Sequence, residues 1–557
     1  MCVCYNDFFA TIPPMPSLLQ SLLRSLKSAK TQPQPERSVL ELLEEARSKL
    51  AASEFAAAQL LAEQVLDREP RNALGVHLLG LAAYRMRDLK RAVELAEQSV
   101  SLQPGNAEFL ANLGFFYSDL GRVRDAVVTL RKALKIDPQS RIARSSLLFC
   151  MTFLDDVTAA ELHTEHVAWA KMHADPLRAL ARPHANSRDP ERLLRVGYVS
   201  ADFRRHAVSY FIEPVLARHD RNQARVHCYY NGAAADDATA RLRACADVWR
   251  DISRLDDDAA AELIRADGID ILVDLSGHLR GNRLLVFARK PAPLQITWLG
   301  YLQTTGMRAM DYKLTDALTD PPGEADRRHT EALLRQPHCQ WCYQPPADAP
   351  GVNALPALAA GAVTFGSFNR IMKISPHTVR LWARILRELP DARLRIMGVP
   401  TPDSGDRLSA QFDREGVSAA RIELRPPLQS EAYWNAYQDV DIALDTFPYN
   451  GATTTCEGLW MGVPSVSRSG TLGTQRSGAS LLGAVGLAHL AATSDDGYVA
   501  AALRLAGDSG ALSLLRARLR EDMRRSPLMD AAQFVCDLEA NYRAAWRRWC
   551  ALPALSG

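Results

Sequence analysis

The chain has 557 residues, 47% apolar and 23% charged, the composition of an ordinary globular protein of about three domains. Its 66 basic and 64 acidic side chains leave a formal charge of +2, so no broad field favours nucleic acid or an anionic membrane surface. No apolar run approaches the roughly 18 residues that a membrane-spanning helix needs.

The first residues, Met1 to Leu23, are apolar but interrupted by Pro13, Pro14 and Pro16, and show no signal-peptide core and cleavage site. Gln32 to Arg37 is rich in Pro and Gln and is expected to be a linker. From Ser38 the apolar positions follow a helical period. Pro70, Pro104 and Pro138 then stand 34 residues apart, and the pattern between them repeats: Gly80 returns as Gly114, Leu89 as Val123, Ala92 as Ala126. That period, with small residues where two helices cross, predicts a tetratricopeptide array of helix–turn–helix units. Each second helix is expected to stop at its proline, which cannot continue the hydrogen-bond ladder. After Gln139 the strict pattern fades, although Ile142 to Ala170 still reads as helix.

At Leu193 the period switches. LLRVGYVSADF, ARVHCYY, GIDILVDL, LQITWLG and YKLTDAL read as short buried strands separated by amphipathic helices. A proline-rich break from Pro345 to Pro356 precedes a second set: VTFGSFN, ARLRIMG, RIELRP, VDIALDTF and VPSVSRS. Such alternation predicts parallel sheets covered on both faces, with ligands at the carboxyl ends of the strands. The expected divisions are a lead and linker (1–37), the repeats and following helices (38–185), and two Rossmann-like α/β domains (186–345 and 346–557).

The second α/β domain carries the strongest local signal, DIALDTFPYNGATTTCEGLWMGVP. A strand ends near Asp445, and a helix opens at Thr453 or Thr454. The free amides of that helix start, with the hydroxyls of Thr453, Thr454 and Thr455, suit a diphosphate. Glu457, one turn on, either closes a capping box with Thr454 or accepts hydrogen bonds from a ribose. Lys373, just before the Ser375–Pro376 helix start, is either a surface lysine or a group that neutralises a leaving phosphate. In the first domain His206 follows a strand, beside Arg204 and Arg205. It is suited to proton exchange at neutral pH or to a structural role. Asp267, Asp270 and Asp274 surround one strand, and Thr304 and Thr305 lie in LGYLQTTG. Dinucleotide, P-loop and zinc-protease motifs are absent. The ten cysteines form no metal pattern: Cys339 and Cys342 are a lone pair beside His338, and free thiols point to a reducing cytoplasm.

Six stretches closely resemble the nucleocytoplasmic protein O-linked N-acetylglucosamine transferase family: LRVGYVSADFRRH (194–206), DGIDILVDLSGH (267–278), RKPAPLQITWLGYLQTTG (289–306), MDYKLTD (310–316), FNRIMKISP (368–376) and LDTFPYNGATTTCEGLWMGVP (444–464). The resemblance implies repeats fused to a two-domain GT-B glycosyltransferase that needs no metal. It further implies inverting transfer of N-acetylglucosamine from its UDP conjugate to serine or threonine of proteins guided by the repeats. By that resemblance His206 and Asp267 are rival catalytic groups, Lys373 supports the leaving diphosphate, Thr453 and Thr454 bind phosphate, and Glu457 holds the ribose. Arg370, Tyr433 and Ala452 stand where animal members have glutamine, histidine and histidine. Tyr433 is expected to stack on the base, Arg370 to restore positive charge, and Thr304 and Thr305 to join the donor contacts. Two other readings stay open, a protein N-glucosyltransferase using UDP-glucose and a non-catalytic repeat scaffold.

Overall fold

The computed structural model describes residues 37–553, residue 233 excepted. The lead and most of the linker expected before Ser38 lie outside the described residues. One compact unit ends at Phe109 and a second begins at Leu110.

The first unit holds the helices Val39–Ala51, Phe55–Arg68, Ala73–Arg85 and Leu89–Leu102, and the start of Ala107–Asp119. Ser38 and Glu41 form a capping box that starts the first of them. Leu42, Ala46, Leu61, Val65 and Leu78 make its apolar spine. At the helix crossing a Cβ on Gly80 would lie 3.2 Å from Leu95 Cβ, which explains the small residue there. One period later, inside the second unit, a Cβ on Gly114 would lie 2.8 Å from Leu130 Cγ. Helices end at Arg68, Leu102 and Ile136, two residues before Pro70, Pro104 and Pro138, as the repeat pattern predicts.

The second unit continues with Val123–Ile136. The stretch expected as one helix from Ile142 to Ala170 is two, Arg141–Met151 and Ala159–His173. Thr158 and Glu161 restart the helix with a second capping box, a signal that the apolar periodicity overrode.

Two parallel sheets follow. The first comprises β1 (Leu194–Ser200), β2 (Ala224–Tyr230), β3 (Val248–Asp251), β4 (Ile271–Asp274), β5 (Leu294–Thr297), β6 (Tyr312–Asp316) and β7 (Ala332–Gln336), in the order β3-β2-β1-β4-β5-β6-β7. The second comprises β8 (Thr364–Ser367), β9 (Arg393–Ile396), β10 (Ile422–Leu424), β11 (Ile442–Leu444), β12 (Ser465–Arg468) and β13 (Ala491–Ala492), in the order β10-β9-β8-β11-β12-β13. Central strands such as β1 are buried on both faces because helices cover both sides. The helix Pro376–Glu388 shows how: it buries Val379, Leu381, Trp382, Ile385 and Leu386, each full burial stabilising by about 1.5–3 kcal/mol. The edge strand β7 and the two-residue β13 escape the sequence reading, since their partly exposed residues lack a continuous apolar run.

Strand order reverses between β1 and β4 in the first sheet and between β8 and β11 in the second. These are the switch points at which open α/β sheets bind ligands. One departure from the expected domain limits is the last helix, Ala531–Ala551, which packs on the first sheet's domain. Tyr542 meets Tyr198 (Oη–Oη 3.3 Å), Glu539 meets His219 Nδ1 at 2.7 Å, and the Trp546 indole donates to the Asp189 carbonyl at 3.0 Å.

Candidate active site

The loops that leave β8 and β11, at the second switch point, bring together the phosphate-type residues. Lys373 lies in a short turn after β8 and is buried. Its ammonium donates to the Asn450 carbonyl at 2.9 Å and lies 4.4 Å from the centroid of the Tyr449 ring. Burial pulls the Lys373 pKa down to about 8, against the attraction of Asp445.

The helix Thr453–Trp460 opens without a side-chain cap at Ala452. Its hydrogen-bond ladder begins with Cys456 N–H donating to the Ala452 carbonyl at 3.1 Å, so the amides of Thr453 to Thr455 precede the first intrahelical bond. Thr454 Oγ1 donates to Asn369 Oδ1 at 3.1 Å. Asp445 shapes the intervening loop by accepting from the amides of Thr446 (2.8 Å) and Gly451 (2.7 Å) and from Ser467 Oγ (2.6 Å). Burial still pushes its carboxyl up to about 6. Gly451 cannot be larger, since a Cβ there would lie 2.3 Å from Thr454 Oγ1. Asn369, Asp445 and Asn450 are therefore site residues that sequence reasoning passed over, although all three stand in the motifs FNR and LDTFPYN.

Glu457 is 1% exposed, and it makes no capping box. Its Oε2 accepts from Tyr433 Oη at 2.5 Å and from Tyr437 Oη at 3.4 Å, whereas Oε1 is buried and has no hydrogen-bond partner among the described residues. Burial raises the carboxyl above its ordinary value, opposed by the Tyr433 and Tyr437 hydroxyls. A buried carboxyl with one unpartnered oxygen is costly, and that oxygen can accept a hydrogen bond from a further donor. Tyr433 is fully buried, with its ring edge-to-face against Phe368 and Tyr437, and it reaches this site through Glu457.

His206 follows β1 at the other switch point and is buried. Its Nδ1 accepts from the Val208 amide at 3.3 Å and lies 3.7 Å from Asp202 Oδ2. Burial holds its pKa below the ordinary histidine value. Asp202 opposes that shift, and Arg204 and Arg370 reinforce it. With Nδ1 accepting an amide, the neutral ring carries its proton on Nε2.

Three expected site residues are engaged elsewhere. Asp267 lies at the amino end of β4, the end opposite the ligand edge, and accepts from Arg250 Nη2 (2.9 Å) and Tyr229 Oη (2.8 Å). Burial would raise its carboxyl, but those two partners outweigh it and hold the group below the usual carboxylate range. The residue at the carboxyl end of β4 is Asp274, which organises the following loop through the amides of Ser276 (3.1 Å) and Gly277 (2.8 Å). Thr304 Oγ1 donates to Glu331 Oε2 at 2.6 Å, and Thr305 binds Glu331 Oε1 through its amide at 2.7 Å and through its hydroxyl. These hydroxyls satisfy the buried Glu331 carboxylate. Arg370 stands beside Lys373 in sequence, with its guanidinium 2.5 Å from Asp119 Oδ1. Cys339 and Cys342 are buried thiols, both pushed up to about 12 by burial.

The family model described as "Glycosyl transferase family 41" matches residues 146–342 and 353–538, and one described as "Tetratricopeptide repeat" matches 83–147. The chain is 42% identical over 424 residues to a probable UDP-N-acetylglucosamine–peptide N-acetylglucosaminyltransferase SPINDLY of Solanum lycopersicum, covering 75% of this chain and 45% of that protein. It is 31% identical over 370 residues to the Arabidopsis thaliana protein SEC, described by the same probable activity, covering 64% of this chain and 37% of that one. The chain thus spans less than half the length of these curated relatives. The solved structure of a mutant O-GlcNAc transferase from Thermobaculum terrenum superposes with a TM-score of 0.88 at 39% identity, covering 92% of this chain and 98% of that one.

Proposed function

The chain belongs to glycosyl transferase family 41, and we propose that it transfers N-acetylglucosamine, with inversion, from UDP-N-acetylglucosamine to serine and threonine hydroxyls of proteins. The observation that carries this reading is the convergence of a buried ammonium, Lys373, with an uncapped helix start at Thr453 and a half-satisfied carboxylate, Glu457. The amides of Thr453 to Thr455 and the Lys373 ammonium suit a diphosphate, and Glu457 Oε1 suits the ribose hydroxyls.

In the transfer, the acceptor oxygen attacks the anomeric carbon as the bond to the diphosphate oxygen breaks. The negative charge that grows on the diphosphate is met by Lys373 and the helix amides. His206 stands on the first lobe, where its Nε2–H donates to the sugar or to the acceptor oxygen. The acceptor proton passes to water in the cleft or to an oxygen of the departing diphosphate, because Asp267 lies at the amino end of β4, held by Arg250 and Tyr229. Protein acceptors are guided by the tetratricopeptide helices, and the curated relatives, probable UDP-N-acetylglucosamine–peptide N-acetylglucosaminyltransferases, support both the donor and the peptide acceptor. No nucleic acid, membrane span or metal enters this reading, and the cytoplasm is the compartment it implies.

Incubating the purified chain with a cell lysate and, in turn, UDP-N-acetylglucosamine, UDP-glucose and GDP-linked sugars tests it, with modified residues identified by mass spectrometry. N-acetylglucosamine on serine or threonine is expected. Glucose on asparagine supports the N-glucosyltransferase alternative. Transfer of another sugar to the same hydroxyls overturns the donor assignment alone. Folded protein that binds no nucleotide and transfers nothing supports a scaffold.

A further inference from the structure

The donor site rests partly on residues that the two α/β lobes do not supply. In the turn after the helix Arg141–Met151, Phe153 is 2% exposed and stacks on Tyr449, ring centroids 4.9 Å apart and planes 26° apart. Phe149 meets Phe153 edge-on at 4.8 Å and fixes its orientation. The same Tyr449 ring lies 4.4 Å from the Lys373 ammonium. A second contact runs beside it. Asp119, the last residue of the helix Ala107–Asp119, meets Arg370 at 2.5 Å, and the Leu120 carbonyl accepts from Ser404 Oγ (3.2 Å) and Arg407 Nη2 (3.0 Å). Gly121, at φ +76°, closes that turn where a Cβ would lie 3.0 Å from Ile371 Cγ1. Both contacts therefore brace the Ile371–Lys373 turn.

A lysine ammonium on four methylenes has many rotamers, and electrostatic support of a leaving group needs one of them held in place. An aromatic face holds a cation through its quadrupole, but only if the ring is itself fixed. We propose that Phe153 and Asp119 are positioning residues for the leaving-group lysine, Phe153 by fixing the Tyr449 ring and Asp119 by holding Arg370 beside it. The helices that precede the catalytic lobes then form part of the donor site, separately from any role toward the acceptor. The inference rests on the leaving-group reading of Lys373. Besides Tyr449, the charged groups that act on that ammonium among the described residues are Asp445 and Arg370, the latter tied to Asp119.

The test measures UDP release from UDP-N-acetylglucosamine with and without a peptide acceptor, in the full chain. Phe153→Leu keeps apolar volume but removes the flat face, and Phe153→Tyr restores it. Phe153→Leu is expected to lower kcat about tenfold in both assays with a smaller change in donor KM, and to cost less than about twofold when Lys373 is already alanine. Phe153→Tyr is expected to retain most activity. Asp119→Asn, which leaves the packing intact, is expected to show the same loss and the same non-additivity. A variant that loses only acceptor-dependent turnover, or a full tenfold loss repeated in the Lys373→Ala background, overturns the proposal. If Phe153→Leu does not fold, Asp119→Asn decides alone. An unaltered chain that releases UDP from no nucleotide sugar overturns the proposed function itself, a different outcome from an active chain indifferent to Phe153.

Discussion

Asp119 and Arg370 stand 251 positions apart in the chain, and their charged groups meet at 2.5 Å. The aspartate ends a repeat helix and the arginine begins the turn that carries Lys373. Two cations in one turn repel each other, and the arginine depresses the Lys373 pKa. An aspartate held on the arginine limits that repulsion beside the Lys373 ammonium.

Protonation of Lys373 sets the first prediction. Burial brings its pKa to about 8, so the ammonium is charged below that pH and is lost above it. The kcat/KM profile, which reports the free enzyme, should be level toward neutral pH and fall as pH rises through about 8. Lys373→Ala should cost about 3 kcal/mol of transition-state stabilisation, a hundredfold or more in rate. It should also remove that limb. Near-normal turnover of Lys373→Ala, or an unchanged alkaline limb, contradicts the leaving-group role.

His206→Ala should lower turnover more than it lowers UDP affinity, because the histidine comes from the lobe opposite the phosphate loops. Isothermal titration with UDP, run beside steady-state kinetics, separates the two effects. An acidic limb that persists in the variant belongs to another group, as expected of a histidine that donates its Nε2–H and takes no proton from the acceptor. Equal activity reduces His206 to a structural residue.

Asp267→Asn provides the contrast. The carboxylate is held by Arg250 and Tyr229 at the amino end of β4, so turnover should stay within about twofold of the parent. The partly exposed pair with Arg250 should contribute no more than about 1 kcal/mol of stability. Its folded pKa is depressed, so that contribution is present above the ordinary aspartate pKa of 3.8 and is lost as pH falls below it. Thermal melts at neutral and acidic pH read the stability term, and a severe loss of kcat would return Asp267 to the reaction.

The difference between Lys373 and Asp267 shows what a linear pattern can carry. Lys373, Thr453, Thr454 and Glu457 lie just after strands that the apolar pattern reveals, so chain position alone puts them at the ligand edge. Asp267 lies just before such a strand, and only the direction of the strand, parallel to its neighbours, puts it at the far end. Thr304 and Thr305 look like free hydroxyls until Glu331, 26 or 27 positions on, claims them. The repeats were legible because Gly80 and Gly114 report a steric rule every period. Phe153 and Asp119 were not, since an apolar helix end and a surface acid carry no sign of a partner some 250 to 300 residues away.

Glu457→Gln should separate stability from binding. A buried carboxyl with a raised pKa stabilises the fold most below the ordinary value of 4.5, and that contribution is lost as pH rises through the raised one. The glutamine variant should therefore melt higher than the parent at neutral pH, with the gap closing toward pH 4.5. UDP should bind about tenfold more weakly, a loss of roughly 1.4 kcal/mol, as the charged acceptor for the ribose hydroxyls is gone. A variant that melts lower and binds UDP as the parent does would make Glu457 a structural partner of Tyr433 alone.

Truncation separates the two roles assigned to the helices. The unit that ends at Phe109 and the unit that begins at Leu110 have their own cores, whereas Asp119, Leu120 and Phe153 contact the second lobe directly. Removing residues 38–105 should leave UDP affinity and acceptor-free UDP release close to the parent, while glycosylation of whole proteins is lost with the repeat surface. Removing residues 38–138 also takes away Asp119 and the turn closed by Gly121. That deletion should abolish protein glycosylation, lower UDP release about tenfold or more, and reduce solubility by exposing the apolar face of the helix Arg141–Met151. Circular dichroism and a melt on each form distinguish lost support from a lost fold. If the longer deletion stays folded and modifies the same proteins at the parent rate, the repeats neither guide the acceptor nor brace the donor site.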